Sequence, residues 1–264
     1  MDLLINALFG LAIGTAVAGW NRSRPSQQLK LMVVGMLGAL LPALDEISLW
    51  SGFDQSVAPI LGISEPGVEI FLGKHWFSHQ AFMHSLLACF IFSTFILLSF
   101  TFIYKNVIKG AKTYRAAFQY VIIYSVAFGL GFTAHLLADL AAPAGPWGGI
   151  RLFFPFEIYV GGWGMTWWWN NYDLTLILFV ATLLNVVLIA IIPPLKKGVR
   201  YLPASVCMFA SMMIVWQIST RSFNFNEAGY TTREEASHVI QTQILGEDLH
   251  HVMNKMDQQL PFYY

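Results

Sequence analysis

AFQYVIIYSVAFGLGFTAHLLADLAA, residues 117–142, states in one stretch both how this chain folds and where its chemistry lies. It exceeds the roughly 20 apolar residues that a helix needs to cross a hydrocarbon layer of about 30 Å. Near its end stand two groups that lipid disfavours, His135 and Asp139. Ionisable side chains at such a place are costly and need partners. Four residues apart on a continuous helix, an imidazole and a carboxylate project from one face and can share a cation.

Composition extends the first of these statements to the whole chain. Of 264 residues 56% are hydrophobic and only 11% charged, with a mean hydropathy of +0.57, whereas a soluble domain carries roughly 25% charged residues. Five further apolar segments, at 3–20, 29–50, 83–104, 172–194 and 201–219, predict an all-α, polytopic membrane bundle of about six transmembrane helices. The first contains an Ala-x-Ala at Ala16 to Ala18. No positively charged region precedes it, so it reads as a retained span rather than a cleaved signal. Residues 51–82 and 143–171 are too interrupted by Gly and Pro to be simple spans. The expected organisation is a transmembrane domain over 1–220 and an extramembrane, polar tail over 221–264 with one amphipathic helix at about 231–257. Cys89 and Cys207 fall in apolar runs, where free cysteine behaves as a small hydrophobe, so no disulfide framework is visible.

The net charge of zero conceals an asymmetry. Arg22, Arg24 and Lys30, then Lys105, Lys109, Lys112 and Arg115, then Lys196, Lys197 and Arg200 occupy alternate connectors, which the six-span order places on one side. By the positive-inside rule that side is cytoplasmic. Both termini, residues 51–82 and 143–171, and every carboxylate then fall on the extracytoplasmic side. Trp163, Trp167, Trp168 and Trp169, with Tyr159 and Tyr172, cluster before the fifth span, where amphipathic rings favour the headgroup layer. They read as an aromatic belt. The acidic outer face and the lack of a basic patch with interleaved aromatics argue against nucleic acid as a partner.

The same six-span order gathers His79, His84 and His135 with Asp45 and Asp139 at one membrane face. His79 and His84 are about 140° from a common face on a regular helix. His79 is therefore expected in an irregular turn before the third span and His84 in that span's first turn. Asp45 follows Pro42 at the end of the second span. Imidazole with carboxylate suits zinc first, with manganese or iron as alternatives, and no soft ligand selects copper(I). Five candidate ligands exceed the three of a mononuclear catalytic zinc. This leaves open either a second ion or a residue acting as base, for which Asp45, Asp139 and Glu46 are the candidates. His75, between Lys74 and Trp76, and Arg151, a candidate phosphate contact, are held as additional site residues. His238, His250 and His251 belong to the polar tail and read as solvated.

These residues also fall into segments that resemble the YdjM-like family of membrane-bound, metal-dependent hydrolases. Its Pro-Asp-x-Asp segment resembles Pro42-Ala43-Leu44-Asp45. Its His-Arg-Gly-x-Thr-His-Ser segment resembles the run from His79 to Ser85, and its His-x-x-x-Asp segment resembles His135 to Asp139, followed by Pro143, Gly145 and Pro155-Phe156. The likeness spans roughly residues 1–195. Ala43, Gln80 and Met83 depart from it, each replacing a polar group of the family pattern. The resemblance implies an inner (plasma) membrane location and a metal-dependent hydrolase. The family's similarity to zinc-dependent phospholipase C and related nucleases implies phosphoester hydrolysis.

The reading is then a membrane-embedded hydrolase that uses a metal-activated water on a membrane lipid or other amphipathic small molecule. Two alternatives come from other classes. One is an ion or solute transporter, against which the inner halves of the spans are mainly Leu, Ile, Val and Phe. The other is a scaffold whose metal only braces the bundle.

Overall fold

A computed structural model describes residues 3–21, 25–191 and 199–258. Its long helices are α1 (Leu3–Asn21), α2 (Pro25–Leu40), α3 (Leu86–Asn106), α4 (Tyr114–Ala141), α5 (Tyr172–Ile191), α6 (Leu202–Ser219), α7 (Tyr230–Leu245) and α8 (Glu247–Asp257). Among the described residues there is no β-strand, only the isolated bridges Pro143 to Trp163 and Ile150 to Val160. Among the described residues, five helices are long and apolar enough to cross a membrane. A sixth span arises if α2 and the 3₁₀ turn Pro42–Leu49 count together. The expected bundle of about six spans is therefore what the chain forms. Of the basic connectors, Arg22, Arg24, Lys196 and Lys197 lie outside the described residues, as does Asp2.

The second span is not straight. α2 and the turn Pro42–Leu49 meet at 52°, because Pro42 has no N–H to continue the ladder and its ring displaces the preceding turn. The bend is what carries Asp45 sideways toward α4.

α1 is the hub, packing on α2, α4, α5 and α6, while α2 also packs on α4. Glycine makes the α1–α2–α4 contact backbone to backbone. A Cβ on Gly131 of α4 or on Gly38 of α2 would stand 2.1 Å from the carbonyl oxygen of Gly35 or Phe128. One on Gly10 of α1 would stand 2.5 Å from the Gly35 oxygen. Between lipid-embedded helices, where apolar burial drives little, such close approach and interhelical hydrogen bonds supply the cohesion. Asn185 of α5 adds the polar link, its Nδ2 donating to Thr15 Oγ1 of α1 (3.0 Å) and to the Pro203 carbonyl of α6 (3.1 Å). α3 packs mainly on α4. It leaves Phe90, Phe95 and Leu98 more than 60% exposed, as a helix apolar all round does when lipid is its solvent.

The tail departs from the expected single helix over about 231–257. Gly246, at φ +78°, breaks it into α7 and α8. The tail is also docked on the rest of the chain. Phe225 is fully buried against Trp167. The Arg221 guanidinium pairs with Asp173 at 2.9 Å, both side chains buried, at the start of α5. The aromatic cluster is correspondingly only in part a belt. Trp167 is buried, and its Nε1–H and that of Trp169 donate to Glu234 Oε2 of α7 at 2.5 and 2.9 Å. Asn170 Nδ2 donates to the other oxygen of that carboxylate.

Candidate metal centre

Three segments converge beyond the bend of the second span. α4 presents His135 and Asp139 in its last two turns, both buried. At 28 residues α4 is about 42 Å long, which puts this pair at one end of the span rather than in its middle. The second span sends Asp45 from its 3₁₀ turn. The irregular segment before α3 provides His79 in a turn and His84 at the end of the turn Phe82–His84. His84 thus stands just ahead of the helix rather than in its first turn, because Ser85 is the N-cap, its Oγ accepting from the Ala88 N–H at 3.1 Å. Gln80, in the left-handed region at φ +63°, turns the chain between the two histidines. Its carbonyl accepts from the Arg151 N–H at 2.8 Å.

The tightest geometry joins three atoms. His135 Nε2 and Asp139 Oδ2 are 3.0 Å apart, and His84 Nε2 lies 3.2 Å from each. Donors about 2.0–2.2 Å from one cation stand roughly 3.3 Å apart at tetrahedral angles and about 2.9 Å at octahedral ones. The triangle matches that spacing. Nδ1 of His135 donates to the Ala39 carbonyl at 2.7 Å, which leaves Nε2 with its lone pair toward the other two donors.

On the far side of His84 stands Asp45. Its Oδ1 accepts from His79 Nδ1 at 2.9 Å, and its Oδ2 is 3.1 Å from His84 Nδ1. The second contact is short but not aligned as a hydrogen bond, and both atoms are buried without a hydrogen-bond partner among the described residues. Asp45, His79 and His84 form one group able to hold a metal ion, and His84, His135 and Asp139 form another. The donor set, two imidazoles and a carboxylate in each, fits a divalent transition metal. Burial opposes charging His84, but Asp45 and Asp139 outweigh it and hold that imidazole up at about 10. For His79 burial prevails over the pull of Asp45, and its pKa falls below the ordinary histidine value.

All five residues expected as ligands therefore meet, and three further candidates stay outside both groups. Glu46 is half-buried next to Asp45, within electrostatic range of His84 and His135. His75 is exposed and faces Glu65 at 3.5 Å while stacking on Phe77. Arg151 is buried, and its guanidinium donates to the carbonyls of Pro155 and Phe156 of its own loop, both at 3.0 Å. It braces that loop. Phe71 and Trp147, which cover His79, stand in no motif or spacing that marks them in advance. Phe71 stacks on the imidazole at 4.4 Å between centroids, Trp147 meets it edge-on, and the Trp147 indole donates to the Phe71 carbonyl at 2.9 Å.

An all-helical integral membrane protein with a buried His/Asp cluster able to hold a metal ion is the class defined by this fold and site. More particularly, the chain belongs to the YdjM inner membrane protein family, whose model matches residues 1–223. No curated protein and no solved structure matches it.

Proposed function

We propose that this protein is a metal-dependent hydrolase whose site faces the extracytoplasmic side of the inner membrane and takes a lipid-like, amphipathic substrate, with a phosphoester as the favoured bond. The observation that carries the reading is the triangle of His84 Nε2, His135 Nε2 and Asp139 Oδ2. Three protein donors are the number that hydrolytic zinc sites use, whereas a purely structural zinc is closed by four. Zinc is accordingly the favoured ion. When bound, a divalent ion supplies Lewis-acid polarisation of the scissile group and acidifies water.

The chain's own residues supply the rest. Ala39 fixes the tautomer of His135 through its carbonyl, and Asp45 holds His79 with one oxygen and faces His84 with the other. To Glu46, half-buried next to Asp45, we assign the role of taking a proton. The position of the cluster at one end of α4 supports a substrate approached from headgroup depth. The orientation rests on the Lys and Arg of alternate connectors.

A metal-braced scaffold is the second reading, and the near-complete burial of the three donors favours it. Metal content and hydrolysis decide together. Purified wild type is expected to carry one transition-metal ion per chain and to hydrolyse a member of a panel of amphipathic phosphodiesters and esters. His84→Ala, His135→Ala and Asp139→Ala are expected to lose both. Full occupancy in these variants would sink the site. Occupancy in the wild type with no hydrolysis across the panel would leave the scaffold. Two ions per chain would assign Asp45, His79 and His84 to a second one.

A further inference from the structure

The tail helices meet the rest of the protein through their polar sides. α7 turns Glu234, Ser237, His238 and Gln241 inward, with Ser237 and Gln241 buried. The Gln241 Oε1 accepts from the Asp173 N–H at 3.0 Å. α8 turns His250, Asn254 and Asp257 inward. His250 Nε2 lies 3.2 Å from His238 Nδ1, and the Tyr172 hydroxyl is within 3.2 Å of Asn254 Oδ1 and 3.1 Å of Asp257 Oδ2.

At about 100° per residue the remaining surface of α8 divides into two unlike sectors. One carries Glu247, Asp248, His251 and Lys255, the sector for water. The other carries Leu249, Val252 and Met256, which are 40%, 51% and 60% exposed. A helix with only protein and water around it has no use for the last sector. A helix lying in a membrane boundary against a protein has use for all three: protein beside it, water above it and lipid beneath it. Its attachment fixes the depth, because Tyr172 is the first residue of the membrane-spanning helix α5. The partly exposed Trp169 stands in the same region.

We propose that α8 lies in the membrane–water boundary beside the site end of α5, with Leu249, Val252 and Met256 inserted in lipid. The stripe continues the apolar belt of the spans around the corner onto the tail. This inference does not depend on the proposed hydrolase activity.

The test uses the full chain with Cys89 and Cys207 replaced, reconstituted at no more than one chain per vesicle in phosphatidylethanolamine–phosphatidylglycerol vesicles. An environment-sensitive fluorophore is attached singly to Leu249→Cys, Val252→Cys, Met256→Cys, His251→Cys or Asn254→Cys. The apolar positions are expected to show a blue shift and loss of emission when the vesicles contain doxyl-labelled phospholipid. His251→Cys is expected to respond only to a water-soluble quencher, and Asn254→Cys to neither, which reports docking of the helix. Water exposure at all three apolar positions overturns the proposal, with or without shielding at Asn254. So does shielding from both quenchers, which would mean that a protein partner covers the stripe.

Discussion

His84 is the residue that the two metal-holding groups share, and Asp45 reaches it from the His79 side, each of its oxygens facing a different histidine. If the ion sits on the His84, His135 and Asp139 side, Asp45 acts through His84. Loss of such a supporting carboxylate typically costs about 10–100-fold in metal affinity. Asp45→Asn, which keeps shape and removes charge, is therefore expected to weaken zinc binding by about that factor and not to abolish it. Equilibrium competition against a chelator measures this. Complete loss would instead make Asp45 a direct ligand. The pairing was only half legible in the sequence. His135 and Asp139 declare themselves by their four-residue spacing, but Asp45, His79 and His84 come from segments joined only by the fold. Arg151 illustrates the opposite limit. Its charge looked suited to phosphate, and only the three-dimensional loop reveals carbonyl acceptors four and five residues downstream.

At the level of helices, hydropathy reported nearly everything that lipid enforces, so the spans could be read with small errors at their ends. What hydropathy does not carry is how helices approach each other. Gly131 sits one turn before His135, with the Gly35 carbonyl where a side chain would begin. Gly131→Leu is expected to push α4 from α2, lower the thermal midpoint in detergent, and reduce metal content, although the residue touches no ligand. A variant with unchanged midpoint and metal content would show that the bundle closes by other contacts. The same blindness explains the tail: its helical periodicity is evident, but the docking of Glu234 on two indoles depends on partners more than 60 residues away.

For the molecule as a whole, the tail is attached by groups that titrate. Partial burial pushes Glu234 upward, but hydrogen bonds from His238, Trp167 and Trp169 outweigh it and leave the carboxyl below its ordinary value. His250 also lies below its ordinary value, through burial and the neighbouring His238 and His251. Both shifts favour the deprotonated form in the folded state. Their contribution is present above the unfolded values and is lost on acidification, first for His250 below about 6.5 and then for Glu234 below about 4.5. The thermal midpoint is expected to fall across that window, and Glu234→Gln is expected to flatten its more acidic limb. Superimposable profiles for wild type and Glu234→Gln would remove Glu234 from the account.

The broken second span has one more consequence. A helix that stops at Leu40 leaves its last carbonyls in search of donors, and the one at Ala39 finds the imidazole of His135. That contact decides which ring nitrogen keeps its hydrogen. A cyclic residue with no polar side-chain atom, placed three positions from Asp45, thereby governs where a hydrogen resides on a different helix.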